Sequence, residues 1–148
     1  MDTGPINSFT GDYRFLSNFW PCKIEHPEDY MIYPSVEHAY QASKSADLRT
    51  RCAVLKIEKP GAAKRWGQTI KIREDWEDVK KIIMFRLLLA KFTQDGELGA
   101  KLIETGDRLL IEGNGWGDTY WGMVSDGTTW EGHNYLGRLL MAVRTVIE

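Results

Sequence analysis

Apolar residues between Trp76 and Phe92 recur at intervals of three and four, through Val79, Ile82, Ile83, Leu87 and Ala90, which predicts a long helix with a wide buried stripe. A second helical stretch runs from about Asn134 to Ile147 on Leu136, Leu139, Leu140, Val143 and Ile147. Between them, Asp95 to Glu104 reads as a helix capped by Asp95 and ended by Gly106, followed by a short strand at Leu109 to Ile111. Nearer the N-terminus, Pro34 fits the first turn of a helix reaching about Ser45, with Ser35 as an alternative cap. Shorter helices follow over Asp47 to Ile57 and Pro60 to Trp66.

The first third of the chain has a different rhythm. Ile6 to Phe9 reads as extended, Thr10–Gly11–Asp12 as a turn and Phe15 to Phe19 as a compact piece. Cys22 to Ile24 and Tyr30 to Tyr33 then form a hairpin around His26 to Asp29. Helices dominate and strands are short, so the expected class is α+β: a mainly helical single domain, residues 1 to 148, with a small mixed or antiparallel sheet.

Composition narrows the functional classes. With 148 residues, no repeat and no long linker, one core is expected to use nearly all of the chain. Nineteen Lys and Arg against 21 Asp and Glu leave a net charge of −2, which argues against general polyanion binding but leaves room for a local basic pocket. No apolar run is long enough to span a membrane, and the first residues lack a signal-peptide pattern, so a cytoplasmic protein without membrane partners is expected. Two cysteines, Cys22 and Cys52, and three dispersed histidines, His26, His38 and His133, make no closely spaced metal motif. The cysteines are expected as thiols and no metal is expected.

Three segments carry candidate chemistry. In the helix after Tyr33, Val36, Ala39, Tyr40 and Ser43 share one direction, whereas Glu37, Gln41 and Lys44 point together roughly 110° away. The helix dipole favours Glu37 as an anion and surrounding rings disfavour it; a solvated surface pair with Gln41 or Lys44 fits the spacing equally well. The glycine-rich run Glu112 to Gly122 places Asp118 beside Trp116 or Trp121, as a ligand contact or as a plain turn cap. It contains neither a phosphate loop nor a dinucleotide fingerprint. Asn134 can cap the last helix or meet a sugar or phosphate there, and Arg14 can present paired donors at a pocket edge. His38 and His133 read first as packing residues.

Several ordered motifs then bring a family into view. They are Phe15–Leu16–Ser17–Asn18–Phe19, Tyr33 to Gln41 with Lys44, Arg73–Glu74–Asp75–Trp76, Lys91–Phe92, Asp118 before Trp121–Gly122, and Gly132 to Gly137 leading into the final helix. Together they resemble the NADAR family over about nine-tenths of the chain, with Trp20 standing where tyrosine is common. The resemblance implies an N-glycosidase acting on ribosylated or ADP-ribosylated bases, without a cofactor. Its substrates would be ribosylamino-pyrimidine phosphates from riboflavin synthesis or ADP-ribosylated guanine in nucleic acid.

Carried over by motif, the catalytic set is Glu37 as acid/base, Asp118 as water-orienting or cation-stabilising carboxylate, and Lys44 as donor to base or phosphate. Lys44 as an imine-forming nucleophile is the alternative. Trp121, with Trp76 and Trp116 as lesser candidates, would stack the base, Arg14 and Asn18 would hold phosphate or ribose, and Gln41 and Asn134 complete the substrate-binding set. A non-catalytic ADP-ribose or nucleotide-binding module using the same pocket is the competing class.

Overall fold

A computed structural model describes residues 2–148, which divide into two compact units: Asn18–Gln94, and the residues up to Ser17 together with Asp95–Glu148. The expected α+β class holds. The single small sheet resolves into two separate antiparallel ladders of two residues per strand, one in each unit.

In the Asn18–Gln94 unit, β1 (Ile24–Glu25) pairs with β2 (Ile32–Tyr33), with Ile24 opposite Tyr33. The following helices are α1 (Val36–Ser43), α2 (Leu48–Ala53), α3 (Pro60–Gly67) and α4 (Trp76–Gln94), with a 3-10 turn at Val54–Lys56. Pro60 occupies the first turn of α3 as expected. Pro34 does not do so for α1. Ser35 is the cap, because its extended backbone lets Oγ accept the His38 N–H at 3.1 Å.

The polar face expected on α1 is not a solvent face. Every residue from Val36 to Ser43 is buried, because α3 and α4 both pack on this one helix. On α4 the expected stripe shifts: Ile83, Met84, Leu87 and Leu88 are buried and Ile82 is 55% exposed, one helical step of about 100° off the packed direction.

The other unit holds a 3-10 helix at Gly11–Leu16, α5 (Gly96–Glu104), β3 (Val124–Ser125), β4 (Trp130–Glu131) and α6 (Tyr135–Ile147). Asp95 caps α5 through two amides, at 3.0 Å from Glu97 and 3.2 Å from Leu98, and Gly106 ends the turn beyond it at φ +62°. The strands expected at Ile6 to Phe9 and Leu109 to Ile111 shrink to one parallel bridge, Ile6 to Leu110, made by hydrogen bonds of 2.8 Å to either side. The β3–β4 hairpin was not foreseen. Asp126 closes it by accepting the Thr128 and Thr129 amides, both at 2.8 Å.

Two buried histidines clamp α1. His26 Nδ1 accepts the Glu28 N–H at 3.0 Å, so Nε2 carries the proton and donates to Ser43 Oγ at 2.7 Å. His38 Nε2 donates to the Ile57 carbonyl at 2.8 Å, leaving Nδ1 to accept from Ser35 Oγ at 2.7 Å. Burial holds both imidazoles below the ordinary histidine range; around His26, Asp29 and Glu28 act in the opposite sense and Arg51 and Arg86 in the same sense. The unfolded chain therefore protonates first as pH drops. Folding stability is complete above about pH 6.5 and declines as pH falls from there through the folded-state values. Urea midpoints at pH 7.5 and 5 check this, and equal midpoints refute it.

Among the described residues no helix is long and apolar enough to cross a membrane, and no group of three or more His, Cys, Asp or Glu could hold a metal ion.

Candidate functional site

Glu37 sits in the first turn of α1, where backbone N–H groups lack helical acceptors. Its own amide donates to the Asn18 carbonyl at 3.0 Å, which ties the helix start to the Phe15 to Phe19 motif's second half. One turn on, Gln41 Nε2 donates to Glu37 Oε1 at 2.7 Å. Glu37 is 7% exposed and Gln41 3% exposed, so the pair is internal and not the solvated surface pair that the spacing alone allowed. Asn18 Nδ2 reaches Met84 Sδ at 3.5 Å; Asn18 Oδ1 and Gln41 Oε1 are enclosed and accept no hydrogen bond among the described residues.

Lys44 closes α1 as its C-cap, half-buried, with Nζ 5.9 Å from the centre of the Tyr40 ring. Burial pushes its ammonium below the ordinary lysine range, Glu37 pulls it back up, and Lys64 and Lys80 lower it further. Trp76 lies against Tyr40 with ring centres 5.1 Å apart and is 6% exposed, so its ring is committed to packing. Glu37, Gln41, Lys44, Trp76 and the Asn18 backbone are thus gathered about α1.

In the other unit, Asp118 takes the turn-cap role that its local sequence allowed. Its Oδ1 accepts the Tyr120 and Trp121 amides, each at 3.0 Å, while Oδ2 accepts no hydrogen bond among the described residues. Asn114 latches the same loop from both sides, accepting the Asp118 N–H at 2.9 Å and donating to the Asp118 carbonyl at 2.9 Å. Trp121 is half-buried and edge-on to Tyr120 at 4.9 Å; Trp116 is 70% exposed and Arg14 is exposed on its 3-10 helix.

Asn134 corrects an expectation. Its side chain does not cap α6; the residue stands in the left-handed region at φ 53°. The first amides of α6 are already taken, Tyr135 N–H by the Tyr120 carbonyl at 3.2 Å and Leu136 N–H by the Trp121 carbonyl at 2.9 Å. The Asn134 carboxamide instead bridges the chain at residues 110–112, donating to the Leu110 carbonyl and accepting the Glu112 N–H, both at 2.9 Å. The Tyr135 and Leu136 amides at this helix end are thereby occupied, as are the two halves of the Asn134 side chain.

Lys91, which enters the sequence pattern only within the Lys91–Phe92 motif and without a role, is a buried cation. It is 1% exposed on α4, with its ammonium pushed down to about 8 by burial and Nζ 5.0 Å from the centre of the Phe92 ring. The signal was present: Lys91 falls three and four residues after Leu88 and Leu87, on the packed side of the helix.

The family model for the NADAR domain matches residues 7–148, spanning both units. The N-glycosidase YbiA of Escherichia coli strain K12 is 38% identical over 141 residues, covering 93% of this chain and 83% of that protein. An N-glycosidase of Nostoc punctiforme is 36% identical, covering 91% and 86% of the two chains. A riboflavin biosynthesis protein of Vibrio vulnificus is 37% identical over 97% of this chain but only 39% of its own length. Among solved structures, the NMR structure of E. coli YbiA superposes with a TM-score of 0.82 at 36% identity, covering 99% of this chain and 86% of that one.

Proposed function

The chain belongs to the NADAR domain family, and from that premise we propose that it is an N-glycosidase that hydrolyses the bond between ribose and a base nitrogen in a small phosphorylated N-riboside of riboflavin synthesis. The observation that carries this reading is the internal Glu37, oriented by Gln41 at the start of α1 beside a half-buried Lys44.

Breaking a ribosyl C–N bond develops positive charge at the anomeric carbon and ring oxygen while the base nitrogen needs a proton. A positioned carboxyl serves both needs, transferring a proton to or from the reacting groups and stabilising cationic charge beside it. Gln41 contributes by holding the Glu37 carboxylate through Oε1 at 2.7 Å. Lys44, as an ammonium, donates to the leaving base or to the substrate phosphate. Its depressed basicity also makes a neutral amine, the form an imine route requires, easier to reach. Asp118 is assigned the water-orienting role on the sequence resemblance alone, through its Oδ2.

The riboflavin biosynthesis name of the Vibrio vulnificus relative and the net charge of −2 favour a small metabolite over ADP-ribosylated guanine in nucleic acid. Incubation with a ribosylamino-pyrimidine phosphate and, separately, with ADP-ribosylated guanine DNA, with products read by mass spectrometry, tests the choice. Free pyrimidine and ribose phosphate are expected. Release of ADP-ribose from the DNA alone would transfer the activity to the nucleic-acid substrate, and tight binding without any product would leave only the binding-module reading.

A further inference from the structure

Gly67 ends α3, buried, with no positive φ to require a glycine. Alanine is the better helix former at such a place, so backbone conformation does not explain the residue. Its surroundings do. A Cβ built there would overlap the Gln41 carboxamide oxygen and lie 2.8 Å from the carboxamide carbon. No other side chain comes so close: the third nearest atom, at 3.4 Å, is Gln41 Cβ. The bare backbone of Gly67 therefore forms the wall against which the Gln41 carboxamide rests, with its Nε2 turned to Glu37.

We propose that Gly67 is a positioning residue for the N-glycosidase reaction, acting through Gln41 to set the orientation of the Glu37 carboxylate. This rests on Glu37 being the acid/base. The chain of effects is steric and then polar. A methyl group at position 67 displaces the end of a side chain rather than backbone, so the fold yields at Gln41, and the 2.7 Å bond to Glu37 Oε1 is the first interaction lost. Gln41 is 3% exposed, which leaves the carboxamide little room to swing aside and keep that bond. Small misplacements of a reacting group cost far more in turnover than in folding.

Steady-state kinetics on the turned-over N-riboside, with thermal unfolding in parallel, tests this in Gly67→Ala, Gln41→Ala, the double variant and Glu37→Gln. Gly67→Ala is expected to lower kcat by about 10- to 100-fold with KM within about threefold of the parent. In the Gln41→Ala background, where the space is vacated, the same change should cost less than about twofold. If Gly67→Ala alone fails to fold, the double variant must regain the parent's cooperative unfolding. A folded Gly67→Ala with full kcat, losses that multiply in the double variant, or a double variant as unfolded as the single one each overturns the inference. A fully active Glu37→Gln removes the acid/base reading and this inference with it, whereas an inactive Glu37→Gln beside a fully active Gly67→Ala removes this inference alone.

Discussion

Glu37→Gln leaves the protein folded and able to bind its N-riboside while lowering turnover by about 10²- to 10⁴-fold, the range for loss of a positioned acid/base. The replacement is close to isosteric, and its carboxamide oxygen still accepts from Gln41 Nε2, so the packing of α1 against α3 and α4 persists. What disappears is the ability to carry charge and exchange a proton. An equilibrium binding measurement beside single-turnover kinetics separates the two effects, and turnover within threefold of the parent would strip Glu37 of the role.

Asn134→Ala has its effect on stability. The Asn134 side chain is the partner of two main-chain groups, the Leu110 carbonyl and the Glu112 amide, and Leu110 is fully enclosed. The enclosed Leu110 carbonyl left unpaired costs about 1–3 kcal/mol and the half-buried Glu112 amide about 1 kcal/mol, so a loss of about 2–4 kcal/mol is expected. Alanine also resists the left-handed backbone at φ 53°, which adds about 1 kcal/mol. Asn134→Gly removes the same hydrogen bonds without the backbone penalty and should be the less damaged of the two. Chemical denaturation reads both numbers; a change below about 0.5 kcal/mol in Asn134→Ala would mean that the 110–112 segment is held by other contacts.

The parts of the fold that sequence made legible are those whose signal is local. The β1–β2 hairpin announced itself through turn residues between two apolar runs, α3 through Pro60 at its start, α5 through Asp95 and Gly106 at its ends, and α6 through its spacing. The β3–β4 hairpin was silent because its two-residue strands are mostly exposed and too short to alternate. Ile6 to Phe9 and Leu109 to Ile111 looked like strands but meet in a single bridge, since pairing depends on a distant partner that composition does not reveal.

The candidate site divides in the same way. Glu37, Gln41 and Lys44 fall together by helix period alone, yet that period fits a solvated face as well as an internal one. Arg51 and Arg144 make the same point: their spacing does not say what they meet, yet both are buried, Arg51 bonded to the Ser45 carbonyl at 2.7 Å and to Asp29 at 3.1 Å, Arg144 to Thr105 at 2.8 Å. Gly67 carried no local signal, because the atom that excludes a side chain there belongs to another helix.

From its order of residues alone this protein has its helices, its first hairpin, its family and the one helix face bearing carboxylate, carboxamide and amine, since these depend on period, caps and turns a few residues long. Tertiary structure alone decided that this face is internal, that Asn134 braces a neighbouring segment instead of capping its helix, and that Gly67 must stay bare, since burial and steric exclusion are set by atoms far away in the chain.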